Sequence, residues 1–166
     1  MKIRALSFNN RKKVFEVATG SEAFLFPYAK ADPAPTSGDP VTAVRVDEEL
    51  AREGFVFTVA SGRETTVHLA QVLEYNQDPT YLRDLLLYKL TLEAQRRVSA
   101  TALSKREIIR RLGTSATQLY RLLDQTNYRK SVDQVLHLLH VLECEVDVVI
   151  RDRAPDAAAA SRTGVR

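Results

Sequence analysis

The stretch Ser104–Asp124, SKREIIRRLGTSATQLYRLLD, decides how the second half of the chain folds. Ser104 and Glu107 stand three apart, the spacing of a capping box, in which hydroxyl and carboxylate answer the free amides of a helix start from both sides. Ile108, Ile109 and Leu112 then recur at helical spacing and predict one buried face. Gly113 follows, and glycine best tolerates the left-handed conformation that ends a helix. Thr114–Ser115 restarts the chain at once, and ATQLYRLLD repeats an apolar stripe through Leu119, Leu122 and Leu123. The spacing predicts two short helices joined at a glycine-containing turn, with their apolar faces locked together and their other faces polar.

Downstream, DQTNYRK is polar, and Ser131 with Gln134 repeats the capping-box spacing. VDQVLHLLHVLE then predicts a helix burying Val132, Val135, Leu136, Leu139 and Leu142, and CEVDVVIRD alternates through Val146 and Val148 as a closing strand. Upstream, Asp78–Pro79 gives an N-cap followed by proline at the first helical position. The helix it opens is broad-faced and apolar, through Tyr81, Leu82, Leu85, Leu86, Tyr88, Lys89 and Leu92. It fits the first helix of a second domain, a spine between two domains, or a dimerisation surface.

The first seventy residues change to a period of two. KIRALSF and KVFEVAT alternate on either side of NNRK, which is good turn chemistry, and Gly20–Ser21 can turn the chain into EAFLFPY. ADPAPTSGDP (31–40) carries three prolines and no large apolar side chain, and reads as a flexible or extended connection. VTAVRV, FVFTVAS and ETTVHLAQVL continue the strands, DEELAREG offers one short helix, and Gly62–Arg63 a tight turn. The expected architecture is α+β: a β-rich domain over residues 1–77, a helical domain closed by a short strand over 78–152, and a tail, 153–166, expected to be disordered.

The chain has 166 residues, of which 45% are hydrophobic and 27% charged, the balance of a folded soluble protein. Its net charge of +3 conceals a segregation. Residues 95–130 hold nine Lys/Arg against two Asp/Glu, whereas residues 1–94 and 131–166 are each net negative. A local basic patch over paired helices is the electrostatic footprint expected on a polyanion. The single cysteine, Cys144, excludes an internal disulfide. MKIRALSFNN lacks a signal peptide's apolar core, so a cytoplasmic location is expected.

The stretch IIRRLGTSATQLYRLLD, with its glycine, serine cap, polar outer face and buried leucines, resembles the Cro/C1-type (XRE) helix-turn-helix family of repressors and antitoxins, over roughly Leu85–Val149. The family usually has a small residue four positions before the turn glycine; this chain has Ile109, which implies either a slightly wider helix crossing or a constraint relieved elsewhere. The resemblance implies that the second helix reads DNA. Ala116 and Thr117 would face base edges near its start, Arg121 one turn later, and Gln118 and Tyr120 the flanks. Lys105, Asn127, Arg129, Lys130 and Ser131 would contact phosphates, so that Lys130→Ala should weaken binding to every sequence and reduce its salt dependence. Arg106, Arg110 and Arg111 add charge, but cannot all face DNA from one short helix.

The function expected is a sequence-specific double-stranded DNA-binding transcriptional regulator, a repressor acting as a homodimer on an inverted repeat. The alternatives are an antitoxin-like module that holds a toxin and represses its own operon, and an interaction protein whose helix pair binds no nucleic acid. Other chemistry has little support. His137, His140 and Cys144 share helical spacing but sit among leucines without a fourth ligand, and His68 stands alone. Asp32, Asp39, Asp47, Glu48 and Glu49 form no catalytic pair, and no phosphate loop or nucleophile motif occurs. No enzyme activity, cofactor or metal is expected.

Overall fold

Short runs rich in valine, phenylalanine and threonine build the first half of the chain as two three-stranded antiparallel sheets. The structure is a computed structural model and describes residues 1–20 and 22–152. The expected turn at Gly20–Ser21 therefore falls partly outside the described residues, and the expected disordered tail wholly so. The chain is α+β and divides into two compact units, Met1–Tyr81 and Leu82–Asp152.

In the first unit, β1 (Ala5–Asn9), β2 (Val14–Ala18) and β3 (Ala23–Pro27) form a meander, and β4 (Val41–Val46), β5 (Gly54–Val59) and β6 (Glu64–His68) form the second sheet. The asparagine at the first turn acts through its side chain: Asn9 Oδ1 accepts from the amides of Arg11 and Lys12 at 3.0 and 2.9 Å. The positive φ falls four residues after Asn9, at Lys13. Phe15 joins the two sheets, since its ring lies 4.5 Å from Tyr28, 5.1 Å from Phe55 and 5.0 Å from Phe57. Aromatic rings at these spacings add to the area they bury. Burial pushes the Tyr28 phenol up to about 12.

Three expectations for this unit are corrected. DEELAREG forms turns rather than a helix: Asp47 Oδ1 accepts from the Glu49 and Leu50 amides, and Ala51 and Arg52 take positive φ values of 51° and 65°. The reward for that strain is tertiary, because Arg52 Nε donates to the Ile3 carbonyl at 3.0 Å and the Ile3 amide to the Arg52 carbonyl at 2.8 Å. The 31–40 connection is anchored: Asp39 accepts from the Ser61 amide at 2.7 Å and its hydroxyl at 2.8 Å, and these bonds hold its carboxyl below the ordinary range. The strand expected through ETTVHLAQVL stops at His68, where α1 (Leu69–Asn76) begins. Gln71 Oε1 accepts the His68 amide at 2.9 Å, and Leu69, Val72 and Leu73 are buried at helical spacing.

The helix α2 (Pro79–Ala100) starts as its sequence predicts, with Asp78 Oδ1 accepting from the Tyr81 amide at 2.8 Å. In the second unit α3 (Lys105–Leu112), α4 (Ala116–Leu123) and α5 (Val132–Val141) follow. Leu87 and Ala94 of α2, Ile108, Leu119, Leu122, Val135, Leu138, Leu139 and Leu142 form their core. The buried face of α5 differs from the expected one: Leu138 is inside and Leu136 is exposed. Val135, Leu138, Leu139 and Leu142 keep the three-and-four spacing, which Leu136 interrupts. The closing strand expected over residues 144–152 does not form among the described residues, and that segment belongs to no regular element.

Candidate nucleic-acid interface

Local capping sets the two central helices. Ser104 Oγ accepts from the Glu107 amide at 3.1 Å, and Ser115 Oγ from the Gln118 amide at 3.2 Å. Between them Gly113 adopts φ 62° and ψ 38°, the left-handed helix-ending conformation. Only half of the first expected capping box forms. The Glu107 carboxylate turns instead to Arg110 at 2.5 Å and Arg111 at 2.9 Å, bonds that hold it down at about 2. The box at α5 is complete, with Gln134 donating to Ser131 Oγ at 3.4 Å and receiving the Ser131 amide at 3.1 Å.

With Leu119 and Leu122 buried and Leu123 half-buried, the opposite side of α4 faces outward. Thr117 and Arg121, one turn apart, occupy the middle of that outer face, both exposed, and Ala116, Gln118 and Tyr120 are exposed with them. Tyr120 lies on one flank, 57% exposed, with Lys105 Nζ 5.3 Å from the centre of its ring. This cation–π contact ties the start of α3 to the outer side of α4. Gln118 lies on the other flank, lining a shallow groove with Gly113, Thr114, Gln134 and His137.

The carboxyl end of α4 is where the structure departs most from the expected site. The last carbonyls of a helix have no partner within it. Here three side chains serve four of them. Asn127 Nδ2 donates to the Arg121 carbonyl at 3.3 Å and Gln95 Nε2 to that of Leu123 at 2.7 Å. Lys130 Nζ donates to the Leu122 carbonyl at 2.9 Å and the Asp124 carbonyl at 2.6 Å. Lys130 is only 7% exposed, and burial lowers its pKa, with Asp124 opposing that shift.

Three of the expected phosphate contacts are engaged within the chain. The Lys130 ammonium is spent on backbone carbonyls. Asn127 is likewise engaged, since its Oδ1 accepts from the Arg129 amide at 3.1 Å. Ser131 serves as the α5 cap, and its hydroxyl also holds Asp133, an acidic neighbour that disfavours a phosphate there. Lys105 and Arg129 remain exposed. Sequence reasoning overlooked Gln95 altogether: no local pattern signals a partner 28 residues away.

The nine cations of residues 95–130 thus fall into three groups. Arg96 and Arg97 pair with Glu93, and Arg110 and Arg111 with Glu107. Lys130 is buried as a cap. Lys105, Arg106, Arg121 and Arg129 have no ion-pair partner among the described residues, and all four are exposed. These four belong to the start of α3, to α4 and to the loop after it.

Elsewhere in the unit His137 and His140 are exposed and Cys144 half-buried. Among the described residues no three His, Cys, Asp or Glu are grouped to hold a metal ion, and no helix is long and apolar enough to cross a membrane. Comparison with protein families, with curated proteins and with solved structures finds no match to the chain, so the capped α3–α4 pair and its four unpaired cations stand on their own geometry.

Proposed function

We propose that the second unit binds double-stranded DNA, with α4 entering the major groove, and that the protein is a sequence-specific transcriptional regulator acting as a homodimeric repressor. The observation that carries this reading is the outer face of α4, where Thr117 and Arg121 stand exposed between two flanks with unpaired cations around them. A threonine reaches a base edge or a thymine methyl, and an arginine makes bidentate bonds to guanine. Lys105, Arg106 and Arg129 supply phosphate contacts, which position the helix without reading sequence. The side-chain cap of Asn127, Gln95 and Lys130 gives α4 a fixed end, which suits a helix whose outward residues must meet bases at defined distances.

One such helix spans only a few base pairs, so specific recognition calls for two copies on an inverted repeat. The test is selection of the purified protein on random duplex DNA at about 0.15 M salt, the physiological range. Enrichment of a palindrome supports the proposal, and the spacing of its half-sites gives the distance between the two α4 helices. Retention without enrichment, or no retention, refutes sequence-specific reading by α4.

A further inference from the structure

Arg11, Lys12 and Lys13 stand in a row at the turn between β1 and β2, in a half of the chain whose acidic residues outnumber its basic ones. All three are exposed, and none has an ion-pair partner among the described residues. Arg45 and Arg52 of the same unit, by contrast, pair with Glu64 and Glu48. The acids gather elsewhere: Asp47, Glu48, Glu49 and Glu53 all lie in the segment between β4 and β5.

The turn that carries these charges is pinned at several points. Asn9 Oδ1 receives the Arg11 and Lys12 amides. Asn10 Nδ2 donates to the Val41 carbonyl at 2.8 Å, and Asn10 Oδ1 accepts from the Tyr28 hydroxyl at 3.0 Å. The Lys13 carbonyl receives the Tyr28 amide at 2.9 Å. Both asparagine side chains are thus used within the fold, while the three cationic side chains are left outside it. Of these only Lys13 has a side-chain partner among the described residues, the Ser37 hydroxyl at 3.2 Å. Lys13 also holds φ at 54°, a left-handed conformation that glycine or asparagine adopts more easily than lysine. A strained residue at an exposed turn points to a use for its side chain.

Clustered, unpaired cations attract a polyanion. The other residues of this tip are Asn9 and Asn10, so it lacks the apolar side chain that would enter a membrane surface and the aromatic ring that would stack on unpaired bases. The phosphate backbone of a duplex needs neither, and Arg and Lys contact it without reading sequence. We propose that the β1–β2 turn makes a second, sequence-independent contact to double-stranded DNA, with Arg11, Lys12 and Lys13 on its phosphates. The choice of DNA rests on the reading of α4, and the two contacts are measured at different residues, so they fail separately.

The full chain is titrated with random-sequence duplex DNA over a range of salt concentrations. Each phosphate contact contributes about 0.9 to the slope of log affinity against log salt. The double variant Arg11→Gln, Lys12→Gln should therefore show a slope shallower by about 1 to 2, and binding weaker by about tenfold near physiological salt. Lys13→Asn separates charge from fold: it eases the backbone, so the melting temperature should hold or rise while DNA binding weakens. Acetylation of the wild-type lysines, read by mass spectrometry, locates the contact. Duplex DNA should protect Lys12 and Lys13 at the turn, and Lys105 through α4. Protection of Lys105 with Lys12 and Lys13 still reactive would overturn the turn contact and leave the reading of α4 intact. Protection of Lys12 and Lys13 without Lys105 would support the turn and count against α4. An unchanged salt slope in the double variant, Lys13→Asn binding DNA as the wild type does, or protection of the turn by phosphatidylserine vesicles but not by DNA would each overturn the proposal.

Discussion

Lys130 separates a basic patch read by counting charges from one read by position. Replacing it with methionine keeps an unbranched chain of similar length but removes the donor. The Leu122 and Asp124 carbonyls, which now receive Nζ at 2.9 and 2.6 Å, lose their partner at the end of α4. Hydrogen bonds from a charged donor contribute about 1.5–3 kcal/mol each. Relief from burying an ammonium offsets part of that loss. The net destabilisation of the second unit is then about 2 kcal/mol, and a domain of this size loses about 10 °C of melting temperature for it. The assay is thermal unfolding by circular dichroism, run beside DNA titrations at several salt concentrations. Below the melting range, the salt slope of the folded variant should equal that of the wild type, since the ammonium is occupied by backbone. An unchanged melting temperature together with a shallower slope would place the ammonium on a phosphate and refute the cap.

Two further outcomes follow from the same geometry. Arg121→Ala should leave thermal unfolding unchanged, since the side chain is exposed, and cost about 1–3 kcal/mol of discrimination at one base pair; equal affinity for the selected site and its single-base variants in wild type would contradict that role. Glu107, held down at about 2 chiefly by its hydrogen bonds from Arg110 and then Arg111, favours the folded state above the ordinary glutamate value of 4.5. That contribution should fade as pH falls from about 5 towards 2, so melting temperatures of wild type and Glu107→Gln should converge in acid. A gap that persists at low pH would mean that ion pairing is not its source.

Much of the second unit was legible because its signals are local. Ser104, Gly113, Ser115 and Ser131 act on amides or turns within a few residues, and the sequence spacing that identifies them is also the distance over which they work. Asp78–Pro79 at the start of α2 is of the same kind. Where two local partners compete, spacing alone misleads. Glu107 could answer the Ser104 amide or two arginines a turn ahead, and the guanidinium bonds won. The start of α1 was masked by the strand-like residues before it, although Gln71 stood at the capping position.

What the sequence determined by itself is the alternation that makes the first half sheet, the caps and apolar stripes that make the second half helix, and the concentration of cations between residues 95 and 130. Each is a property of neighbours along the chain. Tertiary structure decided which of those cations face outward, that Lys130 and Asn127 close α4 rather than solvate its surroundings, and that Arg52 bends 47–53 into a turn to reach Ile3. It also decided that 145–151 joins no strand ladder among the described residues. A hydrogen bond to a carbonyl, or a strand to its neighbour, depends on what the fold brings alongside, and no spacing within the segment itself records that.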